Sequence, residues 1–420
     1  MRSIYSFIIL LLNILTVVPL SSCNNDSEKK LPNQQPTSKI TFGMCGVPVI
    51  GQLGTGSADA VVTPELISSL AGDMKVKSFR VWMHLAWMLE LDASGSPTLR
   101  EDNVREFHNY IGLLKENGVE NIIAMSSYYL FPSGYTPTAP SAIPLPDSEH
   151  YKEFMTLLEQ CYAMIAKEFP DITFWEPGNE TNAPNGAHIA KPGYIQGGTA
   201  EQNKPYLYTQ DEMAAITADI CYYANKGIKS AKNTNQLVFP GLYWVDPKET
   251  QTFMDYVYEN ITSGKLPTNR IADVNPDSYF DYLNWHPYKQ GAYDISWLED
   301  NKAIIDIAAK YGDGDKKVFI TELGYYDLQS EENKELNAIN SINAIEALKQ
   351  AVPTIETIFI FRMFNWSTAP ASVHARERTF GLFSSPLESG GIQPKPIAIS
   401  LFYYFNGVEA NSDPLFQYAK

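Results

Sequence analysis

Residues 172–180 read Ile-Thr-Phe-Trp-Glu-Pro-Gly-Asn-Glu, an apolar run that ends in an amide and a carboxylate. The run has the length of a short buried β-strand, and Pro177-Gly178 marks the turn that ends it. A second run, residues 318–322, reads Val-Phe-Ile-Thr-Glu and also ends on a carboxylate. Two buried strands with Glu180 and Glu322 at their exits predict two carboxylates that face one ligand.

Strand-like and helix-like segments alternate from residue 40 to the end of the chain. Apolar runs predict strands at residues 40–45, 76–83, 121–125, 172–176, 236–240, 280–286, 317–322 and 357–361. Helical spacing of apolar residues predicts helices between them, and Asp211 is the predicted cap of the helix that runs through Ile228. Eight βα units with short apolar strands favour a closed (β/α)8 TIM barrel over an open doubly wound sheet.

Three long connections follow predicted strands, at residues 126–150, 181–210 and 365–393. They are rich in Pro, Gly, Tyr, Asn and Ser. In a barrel, the loops after the strands form the C-terminal face, where active sites lie. We therefore expect these loops to wall a cleft above Glu180 and Glu322.

The chain divides into three predicted parts. Residues 1–22 carry Arg2 and then an apolar run, which is typical of a signal peptide. Small residues before Cys23 resemble a bacterial lipobox and predict lipidation of Cys23, and the acidic stretch that follows resembles the export signal of Bacteroidota surface lipoproteins. Residues 23–38 are polar and predict a flexible tether, and residues 39–420 form the barrel. We expect an anchor at the bacterial outer membrane, on its periplasmic or cell-surface side.

The composition limits the partners. A formal net charge of −16 argues against nucleic acid or an anionic membrane surface as a partner. We expect the lipid anchor to be the only contact with a membrane. Aromatic residues make up 12% of the chain, which suits either core packing or a sugar-stacking cleft. The sequence has no metal-ligand spacing, no nucleophile elbow and no phosphate-binding glycine loop, so we expect no cofactor or metal. We expect the protein to be a monomer. Cys45, Cys161 and Cys221 are expected to be buried free thiols.

Polar residues stand at other predicted strand exits. Arg80 places a cation inside an apolar run, and a buried arginine needs a carboxylate partner. Glu322 is the expected partner, and Arg80 would favour its ionised form. Glu176 is a rival carboxylate, but its place four residues before Glu180 predicts that it lies inside the barrel or pairs with a cation. Asn179 offers an amide suited to a sugar hydroxyl.

Two further strand exits carry aromatic and imidazole groups. The sixth predicted strand ends with His286 and Tyr288, and Trp366 follows the eighth. His84 follows the second strand and suits either the cleft or local packing. The alternatives without a catalytic function are structural ion pairs for the two carboxylates, a structural role for His286 and a core-packing role for Trp366.

Taken together, this pattern resembles the clan A glycoside hydrolases, retaining enzymes on a (β/α)8 barrel. The resemblance covers residues 39–420 and rests on Arg in strand two, Asn-Glu after strand four, His-x-Tyr after strand six, Glu at strand seven and Trp after strand eight. It implies hydrolysis of β-glycosidic bonds in a polysaccharide or oligosaccharide. Glu180 would be the general acid/base and Glu322 the nucleophile.

The resemblance also implies roles for the neighbouring residues. Asn179 would bind the 2-hydroxyl of the cleaved sugar, and Arg80 and Tyr288 would hold Glu322 ionised. His286 would line the same subsite, and Trp366 would be the stacking floor. His286-Pro287-Tyr288 is similar to the β-xylosidase and iduronidase type and also to endo-acting relatives.

One turn departs from the family pattern. Pro often follows the Asn-Glu pair, whereas here Thr181 follows it and Pro177-Gly178 precedes it.

Two other functions compete with this one. A non-catalytic carbohydrate-binding surface lipoprotein could use the same barrel. A hydrolase of amides or esters would require a metal cluster or an activated Ser or Cys, which the sequence does not show.

Overall fold

The computed structural model describes residues 40–46, 62–244, 246–263, 271–326, 331–366, 375–386, 388 and 390–407. The predicted signal peptide, Cys23 and the tether lie outside the described residues, and their assignments remain predictions. Within the described residues, no helix is both long and apolar enough to cross a bilayer. The three described cysteines are free and buried, as the sequence predicted.

Eight parallel strands form the barrel predicted from the sequence. The strands among the described residues are β1 (Thr41–Cys45), β2 (Ser78–Trp82), β3 (Leu89–Leu91), β4 (Pro97–Leu99), β5 (Asn121–Ser126), β6 (Phe174–Pro177), β7 (Gln236–Leu237), β8 (Leu283–Asn284), β9 (Val318–Leu323) and β10 (Ile355–Ile360). Hydrogen bonds connect them in the order β7-β6-β5-β2-β1-β10-β9-β8. Parallel bridges Val238–Tyr282 and Leu242–Trp285 close the barrel between β7 and β8.

Helices cover the outside of the sheet. They are α1 (Pro64–Asp73), α2 (Leu85–Met88), α3 (Glu101–Glu116), α4 (Glu149–Glu168), α5 (Ala200–Asn203), α6 (Gln210–Ala231), α7 (Pro247–Ser263), α8 (Ile295–Lys310), α9 (Glu331–Ala351) and α10 (Pro396–Asn406). The predicted cap Asp211 was wrong. Thr209 caps α6, because its hydroxyl accepts from the Glu212 N–H while the Glu212 carboxylate accepts from the Thr209 N–H.

Two other details differ from the sequence prediction. The strands predicted at 236–240 and 280–286 shorten to two residues each, because beyond β7 and β8 the two backbones pair only at isolated bridges. A small antiparallel hairpin, β3–β4, lies between β2 and α3 and was not predicted. Its turn is held by the Asp92 carboxylate, which accepts from the N–H groups of Ser94 and Ser96.

The barrel interior changes from apolar to polar toward the C-terminal ends of the strands. An apolar cluster contains Cys45, Ile123, Val238, Tyr282, Phe319 and Phe359. The ring of Phe174, at the start of β6, packs on this cluster with its centroid 5.0 Å from that of Phe319. Arg80 aligns in register with Cys45 on β1 and Ile123 on β5, so its side chain points into the same interior.

A register shift in β9 arranges two consecutive polar residues. Ile320 pairs with Ile358 and Leu323 with Ile360, so β9 advances by three residues while β10 advances by two. Strict strand alternation would send Thr321 and Glu322 to opposite faces, but this bulge lets both contact groups inside the barrel. The bulge therefore places Glu322 at the barrel mouth without removing Thr321 from the interior.

Candidate active site

Arg80 on β2 is the centre of a buried charge cluster, and its side chain is fully buried. Its Nε and Nη2 donate to the two oxygens of Glu176 at 2.7 and 2.9 Å. Nη1 donates to Oε1 of Glu322 at 2.5 Å, and Nη2 also donates to Oδ1 of Asn179 at 2.7 Å. The predicted ion pair with Glu322 is confirmed, and Glu176 is the additional, bidentate partner.

Glu176 is a structural counter-ion inside the barrel. It is fully buried, and besides Arg80 its Oε1 accepts hydrogen bonds from three donors. These are the N–H of Gly241 at 3.0 Å, Nδ2 of Asn284 at 3.0 Å and Oγ1 of Thr321 at 3.2 Å. Glu176 therefore lies inside the barrel and pairs with a cation, as the sequence predicted.

The environment of Glu322 favours its ionised form. Burial opposes ionisation, but the charges of His286 and Arg80 and hydrogen bonds from Tyr288 and Arg80 hold the pKa of Glu322 below its ordinary value. The Tyr288 hydroxyl donates to Oε2 at 2.7 Å, while Arg80 occupies Oε1. A buried carboxylate held ionised between two donors has a fixed orientation.

Glu180 leaves β6 through a tight turn. Gly178 has φ +110° and Glu180 has φ +48°, both in the left-handed region. A Cβ at residue 178 would lie 3.2 Å from the Tyr128 ring, so conformation and space both favour glycine there. The N–H of Glu180 donates to the carbonyl of Gly241 at 2.7 Å, which anchors the turn. The Glu180 side chain remains 20% exposed and so faces the cleft.

His286 lies between the two carboxylates. Its buried Nδ1 is 3.2 Å from Oε1 of Glu180 and 3.7 Å from Oε2 of Glu322. Its Nε2 is 3.0 Å from Oγ1 of Thr321. Gly241 makes this position possible, since a Cβ at residue 241 would lie 2.0 Å from Nε2 of the ring.

The two carboxylates and His286 are close enough to act on one ligand. One oxygen of Glu180, one oxygen of Glu322 and one ring nitrogen of His286 lie within 4.8 Å of one another. Three such atoms are also a set that can ligate a metal ion, which sequence spacing did not reveal because they come from separate strands. The Arg80 guanidinium at 2.5 Å from Glu322 opposes a second cation there.

Asn179 is oriented by Arg80. Its Oδ1 accepts from Nη2 of Arg80 at 2.7 Å, so the Oδ1 and Nδ2 positions of the amide are fixed. The side chain is half-buried. Its contact with a sugar hydroxyl remains a prediction.

His84 lies at the exit of β2. In the described part of the chain, it makes no hydrogen bond to Glu180 or Glu322. Its Nδ1 accepts from the N–H of Ser127 at 3.2 Å, and its ring packs edge-on to Trp87 with centroids 4.0 Å apart. Burial, together with the electrostatic interaction with the His188 imidazole, lowers the pKa of His84 to about 4. His84 is therefore a neutral imidazole at the rim of the cleft, and its substrate contact remains a prediction.

Trp366 is not joined to either carboxylate by any contact in the described part of the chain. The Arg362 guanidinium lies over its ring, 5.3 Å from the centroid, and its backbone N–H donates to the carbonyl of Arg378. Phe361, the residue after β10, instead packs edge-on to Tyr288 at 6.4 Å. Before it reaches Trp366, the chain pairs with the following loop through the bridge between Phe364 and Phe383. The stacking role of Trp366 remains a prediction.

Sequence reasoning missed three residues of the site. They are Gly241, Phe361 and His188. His188, on the connection after β6, interacts electrostatically with Glu180, Glu322 and His286. His188 is the one histidine in the long loop that follows the Asn-Glu pair, and this was the available sequence signal. The sequence around Gly241 carries no such signal.

No family model matches the sequence, and no curated protein of known function matches it either. Solved structures do match the fold. A family 39 glycoside hydrolase from the gut symbiont Bacteroides cellulosilyticus WH2 has a TM-score of 0.55 at 14% identity, over 87% of this chain and 64% of that one. This chain thus spans less than two thirds of that enzyme.

Two other matches cover nearly all of the compared protein. The hyperthermophilic β-glucosidase from Pyrococcus furiosus has a TM-score of 0.57 at 12% identity, over 91% of this chain and 99% of that one. A GH5 family lichenase from Caldicellulosiruptor sp. F32 has a TM-score of 0.55 at 12% identity, over 87% and 93%. At these identities the likeness establishes the fold, a (β/α)8 barrel similar to those of glycoside hydrolases.

The close contact at Gly241 predicts a cost for any side chain there. In Gly241→Ala, the new Cβ would overlap Nε2 of His286, and we expect a loss of about 1–3 kcal/mol in the free energy of unfolding. Chemical denaturation measures it. The control is Gly112→Ala on α3, where no atom lies within 4 Å of the added Cβ and stability should stay equal or rise. Equal stability of Gly241→Ala and the parent would contradict the packing of His286 on Gly241.

Proposed function

We propose that the protein is a retaining glycoside hydrolase that cleaves β-glycosidic bonds in a polysaccharide or oligosaccharide. The observation that carries the proposal is the pair Glu180 and Glu322, with one oxygen of each within 4.8 Å. Retaining enzymes place their two carboxyl groups about 5–5.5 Å apart, and inverting ones about 6.5–9.5 Å apart to admit a water. Solved glycoside hydrolases with the same fold support the proposal.

In the first step, Glu322 is the nucleophile. Its ionised carboxylate attacks the anomeric carbon, and the bond to the leaving oxygen breaks as Glu180 transfers its proton to that oxygen. Arg80 and Tyr288 hold one oxygen each of Glu322 and so orient the attack. The product of this step is a covalent glycosyl ester of Glu322 and a free alcohol.

In the second step, Glu180 acts as the base. It takes a proton from water, the water oxygen attacks the anomeric carbon, and the bond to Glu322 breaks to restore both carboxyl groups. His286 lies 3.2 Å from Glu180 and 3.7 Å from Glu322, so its ring contacts both partners through the cycle. In this mechanism the Nδ2 donor of Asn179 binds the 2-hydroxyl of the cleaved sugar, while Arg80 holds its Oδ1.

Replacement of the two carboxylates tests the roles. Glu322→Gln should lower kcat by at least about 10³-fold on every glycoside, because the amide cannot form the ester. Glu180→Gln should lower kcat by a similar factor on ordinary glycosides but should still release dinitrophenol quickly from dinitrophenyl glycosides, whose leaving group needs no proton. Steady-state and burst kinetics measure both effects.

The control is Glu120→Gln, which changes a surface carboxylate paired with Lys77 and should retain full activity. Undiminished turnover by Glu322→Gln would overturn the assignment. Specific glycan binding without turnover by the unmodified protein would instead favour the non-catalytic alternative.

The pH profile tests the electrostatics of Glu322. The Tyr288 hydroxyl helps to lower the pKa of Glu322, so Tyr288→Phe should raise it and shift the acidic limb of kcat/KM to higher pH. The sign follows because only the ionised nucleophile reacts. Tyr282→Phe is the control, since its hydroxyl donates to Glu356 outside the site. An acidic limb unmoved in Tyr288→Phe would show that this limb does not report Glu322.

We further propose that Cys23 carries a lipid anchor that holds the barrel at the bacterial outer membrane. The proposal is supported by the small residues before Cys23 and the polar stretch up to residue 38. Expressed in a bacterium with lipoprotein processing, the protein should partition into detergent and Cys23→Ser should not. Equal partitioning of the two would exclude the anchor.

A further inference from the structure

Two of the long connections on the C-terminal face are joined to each other. The N–H of Ala190 donates to the carbonyl of Ser141 at 2.8 Å, and the N–H of Ile143 donates to the carbonyl of Ala190 at 3.1 Å. The N–H of Gly193 donates to Oγ1 of Thr138 at 2.9 Å. The loop after β5 and the loop after β6 therefore form one wall, not two independent flaps.

Tyr128 anchors this wall to the turn that carries Glu180. Tyr128 is 1% exposed, and its hydroxyl donates to the backbone carbonyl of His188 at 2.6 Å. The same ring fills the space beside Gly178, where a Cβ would lie 3.2 Å from it. Ile189, next along the chain, is buried. The backbone at residue 188 is thus fixed relative to the catalytic turn.

The side chain of His188 lies within electrostatic range of the site. It is half-buried and interacts electrostatically with Glu180, Glu322 and His286, and also with His84. Burial lowers the pKa of His188, an effect that the two carboxylates only partly offset. In the described part of the chain, His188 hydrogen-bonds through its carbonyl, and neither ring nitrogen has a protein partner. A structural histidine this close to a charged cluster would ordinarily be hydrogen-bonded.

His84 supplies a second imidazole with a defined tautomer. Because its Nδ1 accepts from the N–H of Ser127, its proton resides on Nε2 in the neutral form. Two neutral imidazoles, His84 and His188, then stand on the wall side of the cleft. Neutral imidazoles donate and accept single hydrogen bonds, which suits sugar hydroxyls.

We propose that His188 is a substrate-binding residue that hydrogen-bonds a ring hydroxyl of the sugar held between Glu180 and Glu322. The joined loops and Tyr128 keep its ring at the site. His188 then determines which sugars bind, since a sugar without a hydroxyl at that position leaves the imidazole unpaired. This inference rests on the proposed glycosidase function for its ligand.

The test combines protein variants with substrate variants. His188→Ala should lower kcat/KM by about tenfold, mostly through KM, with the melting temperature unchanged. His188→Gln should recover part of the loss, because an amide can replace one hydrogen bond. The kcat/KM of Tyr128→Phe should lie between those of His188→Ala and His188→Gln, because this change removes only the hydrogen bond to the backbone carbonyl of His188. His108→Ala, which changes an exposed histidine paired with Glu168, is the matched control and should behave like the parent.

A series of monodeoxy glycosides separates binding from a structural effect. For one deoxy position, the parent should lose about as much kcat/KM as His188→Ala loses on the complete sugar, and the two losses should not add. Fully additive losses at every position, or unchanged kcat/KM in His188→Ala, would overturn the inference.

Binding measurements keep the two proposals distinct. If the parent hydrolyses no glycoside, the glycosidase function fails. Calorimetric titration of the parent and His188→Ala with the same oligosaccharides then reads the binding role alone. Weaker binding by His188→Ala supports the inference, while equal binding, or no binding by either protein, overturns it.

Discussion

The fully buried guanidinium of Arg80 is the interaction on which the rest of the site depends. A charge inside a barrel is tolerated only when its donors are paired. Here Glu176, Glu322 and Asn179 pair with it at 2.5–2.9 Å. The arginine therefore connects β2 with β6, its exit turn and β9. Its charge also helps to keep Glu322 ionised, so one residue serves both the packing and the chemistry.

The two glutamates of the site differ because their surroundings differ. Glu322 is 5% exposed, with one oxygen held by Arg80 and the other by Tyr288. Glu180 is more exposed, stands on a left-handed turn and has His286 as its neighbour at 3.2 Å. A fixed, ionised carboxylate suits attack on carbon, whereas an accessible one suits proton transfer. This difference in surroundings supports the two roles that we propose for these residues, which the sequence assigned by resemblance.

The sequence predicted the barrel well because strand runs and helical spacing are local signals. It also predicted the pairing of Arg80 with Glu322, since a buried cation demands a carboxylate. It did not predict the bulge in β9 or the need for Gly241, because both arise where separate strands meet. Trp366 was chosen as an aromatic after the last strand, and its stacking role stays a prediction, whereas the rings of Phe361 and Phe380 pack on Tyr288. Residue type alone could not show where the chain turns after β10.

The seam between β7 and β8 has a consequence for how the molecule holds together. These strands have two residues each, and backbone hydrogen bonds such as that from the N–H of Phe239 to the carbonyl of Tyr282 join the segments around them. Gly241 beside the seam and Asn284 within it both donate to Glu176. Opening the seam would therefore strip hydrogen bonds from the carboxylate that neutralises Arg80. Barrel closure and charge neutralisation are in this way a single cooperative event, and partial opening is penalised at the site itself.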